Sequence, residues 1–345
     1  MGRARTPDGV RKGLYLRHPL SFEHETGSHP ENAERIRAIE MALEAERWHG
    51  LEVVEAPAAT PDQLRRIHTD SHVERIERIS AAGGGMVDAD TVAGPRSYDA
   101  ALRAAGGAAH AVDALLGGEA DFAFCGLRPP GHHAETGRAM GFCLFNNIAI
   151  AVAHGLAEHR LERALIVDWD VHHGNGTQEI FYSSDQVLFT SIHQSPLYPG
   201  TGAPEEAGEG EGEGYTVNLP VDPGAGPDEF LSIVQQVIVP LAASFEPGLL
   251  AVSAGFDAHR DDPLAECTLD EAAFADMAAS LRDCAAELGI PVLVCLEGGY
   301  ALAALAASTG AAIAAFTGSG EPRAAPPQAA SRYRSRLLDR WPALA

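Results

Sequence analysis

Five short apolar runs mark the chain, each closed by polar or glycine-rich residues: Phe122–Cys125, Leu165–Val167, Val187–Thr190, Leu249–Val252 and Val292–Leu296. Runs of this length between turn-forming residues predict strands buried on both faces. Alanine-rich stretches of helical character separate several of them, over 97–116, 145–159, 228–244 and 270–287. Strand, loop and helix repeated in this way predict an α/β fold with a mostly parallel sheet and helices on both faces. In open sheets of that kind ligands bind beyond the carboxyl ends of the strands. The chemically interesting polar residues all follow these strands, so the site is expected there. No internal repeat or central linker is visible. A single domain over 1–318 is expected, with 319–345 as a C-terminal appendage carrying arginines between 332 and 340.

At 345 residues and 46% hydrophobic, the chain can bury a large core. The net charge of −23 argues against nucleic-acid phosphates as a partner, because those call for a basic patch. It suits a soluble cytoplasmic protein and a cationic substrate. Lys12 is the one lysine, so the positive charge is nearly all arginine. Cys125, Cys143, Cys267, Cys284 and Cys295 form no CxxC pair and are odd in number, which predicts reduced thiols without a disulfide framework. The N-terminus lacks the apolar segment of a secretory signal, and no run approaches the roughly 18 apolar residues of a membrane span. Gly2 and Thr6 fit a loose myristoylation pattern that short sequences often match by chance. The acidic stretch Pro204–Gly214 (PEEAGEGEGEG) reads as a solvated, flexible connection.

Four clusters carry the chemistry. Asp168-Trp-Asp170-Val-His172-His173-Gly-Asn175 follows the second apolar run. In an extended backbone Asp168, Asp170 and His172 would share one face, with His173 pointing away. Two carboxylates and an imidazole make a half-built divalent-metal site, although the same pattern also fits a polar strand end. Arg128-Pro-Pro-Gly-His132-His133-Ala follows the first run; the prolines and Gly131 stiffen a loop that would fix both imidazoles. Ser253-Ala-Gly-Phe-Asp257-Ala-His259 follows the fourth and offers Asp257 as a third metal ligand, while Asp261 and Asp262 read as loop and cap residues. Glu297-Gly-Gly-Tyr300 follows the fifth, its glycines letting the backbone bend so that the tyrosine hydroxyl reaches the same end of the sheet.

In this order, RPPGHHA, GFCLFNN (141–147), DWDVHHGNGTQ, SAGFDAH..DPL and EGGY resemble the motifs of the zinc-dependent deacetylases. That family comprises histone deacetylases, acetylpolyamine amidohydrolases and acetoin-utilisation proteins. His24, Gly27-Ser-His29-Pro-Glu31, Arg35 and Val87-Asp-Ala-Asp90-Thr match as well, so the resemblance spans about residues 15 to 315. It implies a single zinc ion held by Asp170, His172 and Asp257, with a position left open for water and substrate. His132 and His133 map onto the family's tandem histidines, supported by Asp168 and Asn175 respectively. Class I members carry Asp at the second support, whereas class II-like and bacterial members carry Asn, as here. An amide partner leaves imidazole nearer neutral than a carboxylate does. His133 is therefore expected to act as general base and then general acid, and His132 to act electrostatically. Tyr300 matches the oxyanion-stabilising tyrosine. Phe142 and Tyr198 correspond to the aromatic walls of an acyl-lysine channel, with Gly141 beside Phe142 and Asp90 at the rim. The resemblance also implies a structural monovalent cation, often potassium, held by Asp168, the main-chain oxygens of Asp170 and His172, and Ser191. Dimers occur among bacterial relatives, which leaves a homodimer open.

Three rivals rank lower. A binuclear arginase-like hydrolase needs further His and Asp ligands, and a silent acyl-lysine- or acetate-binding module should have lost a ligand, a histidine or the tyrosine. In His24-Glu25-Thr-Gly-Ser-His29 the histidines lie five apart where a helical zinc motif needs four, and Gly27 and Pro30 oppose a helix. Substrate is less legible. Polyamine-selective relatives can carry an acidic residue where Leu264 stands, so acetyl-lysine in proteins or a small acetylated amine is favoured over an acetylated polyamine.

Overall fold

A computed structural model describes residues 12–326 and 328–344. Among the described residues ten strands run in chain order: β1 (Gly13–Arg17), β2 (Glu52–Glu55), β3 (Gly85–Met86), β4 (Val92–Ala93), β5 (Phe122–Cys125), β6 (Ala164–Asp168), β7 (Val187–Gln194), β8 (Thr216–Val221), β9 (Leu249–Ala254) and β10 (Val292–Leu296). Strands β3 and β4 make a small antiparallel pair. The other eight form one sheet in the order β2-β1-β5-β10-β9-β6-β7-β8, with every neighbouring pair parallel.

Alternation along the strands feeds two cores. Phe122, Phe124, Leu165, Val167, Val292 and Val294 face one, packed under the helices Glu34–Ala45, Glu271–Leu288 and Leu302–Thr317. Ala123, Cys125, Ala164, Ile166, Leu293 and Cys295 face the other, under Ser97–Leu116 and Asn147–Glu158. A strand buried on both sides must be apolar throughout, which is why these runs lack a polar face. All five cysteines are buried and free. Among the described residues no helix is long and apolar enough to cross a membrane.

The segment after Gly318 packs onto the same core through Tyr333, Trp341 and Leu344. Arg336 donates to the Asn218 carbonyl (2.6 Å) and Tyr333 to that of Pro220 (2.8 Å), so the tail covers the β8 edge. The acidic loop keeps Glu205, Glu209, Glu211 and Glu213 exposed and is anchored through its glycines. Gly208 and Gly212 lie too close to main chain for a Cβ, and the Trp341 indole donates to the Gly214 carbonyl (3.2 Å).

One buried histidine ties this frame to the site loops. His68 Nε2 accepts the Asn146 N–H (2.9 Å) and Nδ1 donates to the Glu135 carbonyl (3.1 Å), which requires a neutral ring. Burial, then the nearby His72, lower its pKa from 6.5 to about 3. Below pH 6.5 the unfolded chain takes up a proton that the folded chain refuses, so this stability is lost as pH falls toward 3. His68→Gln is expected to lower the melting temperature at pH 7 but to flatten its decline between pH 6.5 and 4.5. Parallel melting curves for wild type and variant across that range would contradict the assignment.

Candidate active site

Four adjacent central strands, β5, β10, β9 and β6, each send a loop from the carboxyl edge toward one point. After β6 the chain turns instead of extending. Asp168 Oδ1 accepts the Asp170 N–H (3.1 Å), and Asp170 Oδ1 accepts the His172 N–H (2.9 Å). Such side-chain-to-backbone bonds two residues on are what Asp brings to a turn. They correct the extended-strand expectation, because Asp168 does not share a face with Asp170 and His172. Its Oδ2 lies 3.0 Å from His132 Nδ1. His173 points away as expected, held by Thr201 and Gln178.

Asp170, His172 and Asp257 instead form one group whose ligand atoms all lie within 4.8 Å of one another. His172 Nδ1 stands 3.1 Å from Asp170 Oδ1 and 3.1 Å from Asp257 Oδ2. Asp257 Oδ1 accepts the Val171 N–H (3.0 Å) and Asp170 Oδ2 the Gly298 N–H (2.7 Å). A Cβ at Gly255 or Gly298 would overlap these carboxylates, so those glycines make the space. Burial alone would lower the His172 pKa, but Asp170 and Asp257 push it up to about 10. Burial raises the Asp257 carboxyl, reinforced by the charge of Asp170. The group thus concentrates negative charge out of water, and its two oxygens and one imidazole nitrogen fit a divalent ion such as zinc.

The tandem histidines lie beside this group, their rings 4.0 Å apart. Burial would lower the His132 pKa, yet Asp168, Asp170 and Glu297 carry it up to about 10. His133 moves the other way: burial, then the charges of His132 and His172, hold it well below 6.5. Its Nδ1 lies 2.8 Å from Asn175 Oδ1, while Asn175 Nδ2 donates to Glu135 Oε1 (2.8 Å). The second bond fixes the amide orientation, so Nδ1 of His133 carries the hydrogen and Nε2 keeps a lone pair.

Tyr300 sits between the Arg35 guanidinium, 5.0 Å from its ring centre, and the Phe142 ring, perpendicular to it with centroids 5.8 Å apart. Burial raises the pKa of its hydroxyl well above 10. Tyr198 is 38% exposed and meets the His133 ring edge-on at 5.3 Å. Gly141 has φ +56, and a Cβ there would overlap the His133 ring. Asp90 is half-buried, and its Oδ1 accepts the Gly141 N–H (3.3 Å). Leu264 is half-buried and joined to the site through its N–H on Asp262 Oδ1 (3.0 Å). Ser191 lies in register with Asp168, its hydroxyl 2.9 Å from His193 Nδ1.

A family model described as the histone deacetylase domain matches residues 29–316. The chain belongs to the histone deacetylase family. It is 42% identical over 275 residues to a histone deacetylase-like amidohydrolase of Pseudomonas aeruginosa, covering 79% of this chain and 72% of that one. A probable deacetylase of Methanothermobacter thermautotrophicus is 41% identical over 334 residues, 96% of this chain and 99% of the relative. The crystal structure of the HDA15 HD domain superposes with a TM-score of 0.89 at 36% identity, covering 97% of this chain and 96% of that one. The eight-stranded parallel sheet is therefore the deacetylase fold.

Within this deacetylase frame several residues matter that the motif reading left without a role. Arg128 and Arg35 are fully buried and share Glu31; Arg35 also donates to the Gly299 carbonyl (2.7 Å) and to that of Glu297. Asp262, read from sequence as a loop or cap residue, accepts the Tyr300 N–H on Oδ2 (2.7 Å), just ahead of the helix Leu302–Thr317. Their motifs were visible, but their partners lie far along the chain. A second group, Asp113, His154 and His159, also brings ligand atoms together. There both imidazoles close on one oxygen at 2.7 and 2.6 Å, and Arg66 stands 3.4 Å from His154 Nδ1. A metal-bound imidazole needs an acceptor at its other nitrogen, so this is a hydrogen-bonded cluster.

Proposed function

We propose that the chain is a zinc-dependent amidohydrolase that removes the acetyl group from acetyl-lysine in proteins or from a small acetylated amine. The observation that carries the reading is the placement of a neutral, Nε2-basic His133 beside the Asp170–His172–Asp257 group, with its ring 6.0 Å from that of His172. The name of the Pseudomonas relative, an amidohydrolase, supports the same reaction class.

When bound by Asp170, His172 and Asp257, zinc supplies Lewis acidity toward the amide carbonyl and acidifies a water molecule. The chain's own groups do the rest. Asn175 Oδ1 accepts a hydrogen bond from the Nδ1–H of His133 and so leaves Nε2 free to act as general base. The proton collected there is then available to the leaving amine. His132, kept cationic by Asp168, adds fixed positive charge beside the reacting carbonyl. Tyr300 stays protonated through neutral pH because burial raises its pKa, and donates a hydrogen bond to the oxygen on which charge develops. Phe142 and Tyr198 supply aromatic surface for the apolar stem of an acylated lysine.

Leu264, apolar and half-buried, places no carboxylate at its position to select a second ammonium group. Acetyl-lysine peptides are therefore expected to be turned over at higher kcat/KM than acetylated polyamines, measured side by side on zinc-loaded protein. A preference for polyamines would move the substrate assignment, and no turnover of either by zinc-loaded protein would favour an acyl-lysine-binding module.

A further inference from the structure

Two prolines leave the loop that carries the tandem histidines short of hydrogen-bond donors. Pro129 and Pro130 have no N–H, so after Arg128 the first main-chain donors are Gly131 and His132. Both are buried, and both donate to a single carboxylate oxygen, Glu297 Oε2, at 2.7 and 3.1 Å. The other oxygen, Oε1, accepts the Ser253 hydroxyl at 3.2 Å. Glu297 is itself fully buried at the end of β10, between β5, whose loop bears the histidines, and β9, whose loop bears Asp257. Its main chain is fixed as well: its N–H donates to the Ala254 carbonyl (2.9 Å), and its own carbonyl accepts from Arg35. The loop has little room to adjust, since a Cβ at Gly131 would lie 2.5 Å from the Asn147 nitrogen.

We propose that Glu297 is a positioning residue for the reaction, its carboxylate holding the Gly131–His132 main chain from which both catalytic imidazoles project. The assignment rests on the deacetylase reading given above. An orphaned pair of buried N–H groups is costly, so the acceptor determines where the loop settles. Burial raises the Glu297 carboxyl pKa to about 7, and its protonated form still offers an acceptor oxygen to the two N–H groups. The acceptor atom, more than the charge, is what the loop requires.

The test compares Glu297→Ala and Glu297→Gln in zinc-loaded protein, reading kcat, KM for an acetyl-lysine peptide, zinc content and melting temperature. Glu297→Ala is expected to lose on the order of 10- to 100-fold in kcat with KM within about twofold and one zinc retained, as for reacting groups displaced by about an ångström. Glu297→Gln keeps an amide oxygen in the same place and is expected to recover most of kcat. Wild-type kcat in Glu297→Ala would overturn the proposal, as would a folded, zinc-replete Glu297→Gln as slow as Glu297→Ala. If Glu297→Ala does not fold, a folded, zinc-replete Glu297→Gln that has lost about tenfold or more in kcat overturns the proposal, and one within about threefold of wild type supports it. Wild-type protein inactive on acetyl-lysine would instead overturn the deacetylase reading, so the two failures are distinguishable.

Discussion

Asp170→Ala is expected to abolish both metal binding and turnover. The substitution removes one of three groups whose ligand atoms converge within 4.8 Å, and with it the oxygen that also receives the Gly298 N–H. A catalytic zinc site with two remaining protein ligands loses affinity by orders of magnitude. Purified variant should hold well under one zinc by elemental analysis, and deacetylation should fall by roughly a thousandfold or more, as when a Lewis acid and its activated water are lost together. Asp168→Asn makes the contrast, because Asp168 faces His132 and lies outside the ligand group. That variant should keep its zinc while turnover drops. A zinc-replete Asp170→Ala protein would show that the ligands are misassigned.

His133→Ala should leave the metal in place and remove the proton carrier. The ring is held by Asn175 in the tautomer that leaves Nε2 basic, and burial with the charges of His132 and His172 keeps it neutral. Loss of a positioned general base costs about 10²- to 10⁴-fold. The fall should appear in kcat, with one zinc still bound and KM little changed. His132→Ala should cost less, since its role is fixed charge and not proton transfer. If His132→Ala proved the more damaging and His133→Ala nearly silent, the base would be assigned to the wrong histidine.

The middle of the fold was legible because its strands are covered on both faces. β5 and β10 are apolar throughout, and β6, β7 and β9 open on apolar runs that stand out between polar turns. The edges were not. β2 is Glu-Val-Val-Glu with Val53 40% exposed, and β8 carries Asn218 and Pro220, residues that a sequence pattern reads as interruption. The charged helix Glu34–Ala45, which delivers Arg35 to Tyr300, was also missed. At the site the motif residues do converge, but Asp168 was placed on the metal face by extending the strand past its end. Two Asp-anchored turns end it there. Glu297 and Asp262 stood in their motifs without a partner in view, for another reason. Their work is to hold main chain 166 and 38 positions away, which no local pattern reveals.

The most direct test is amine release from an acetyl-lysine peptide by one preparation stripped of metal and then restored with a single equivalent of zinc. The account predicts no turnover in the stripped protein, recovery on adding zinc, and block by a hydroxamate chelator. Full turnover by demonstrably metal-free protein would contradict it.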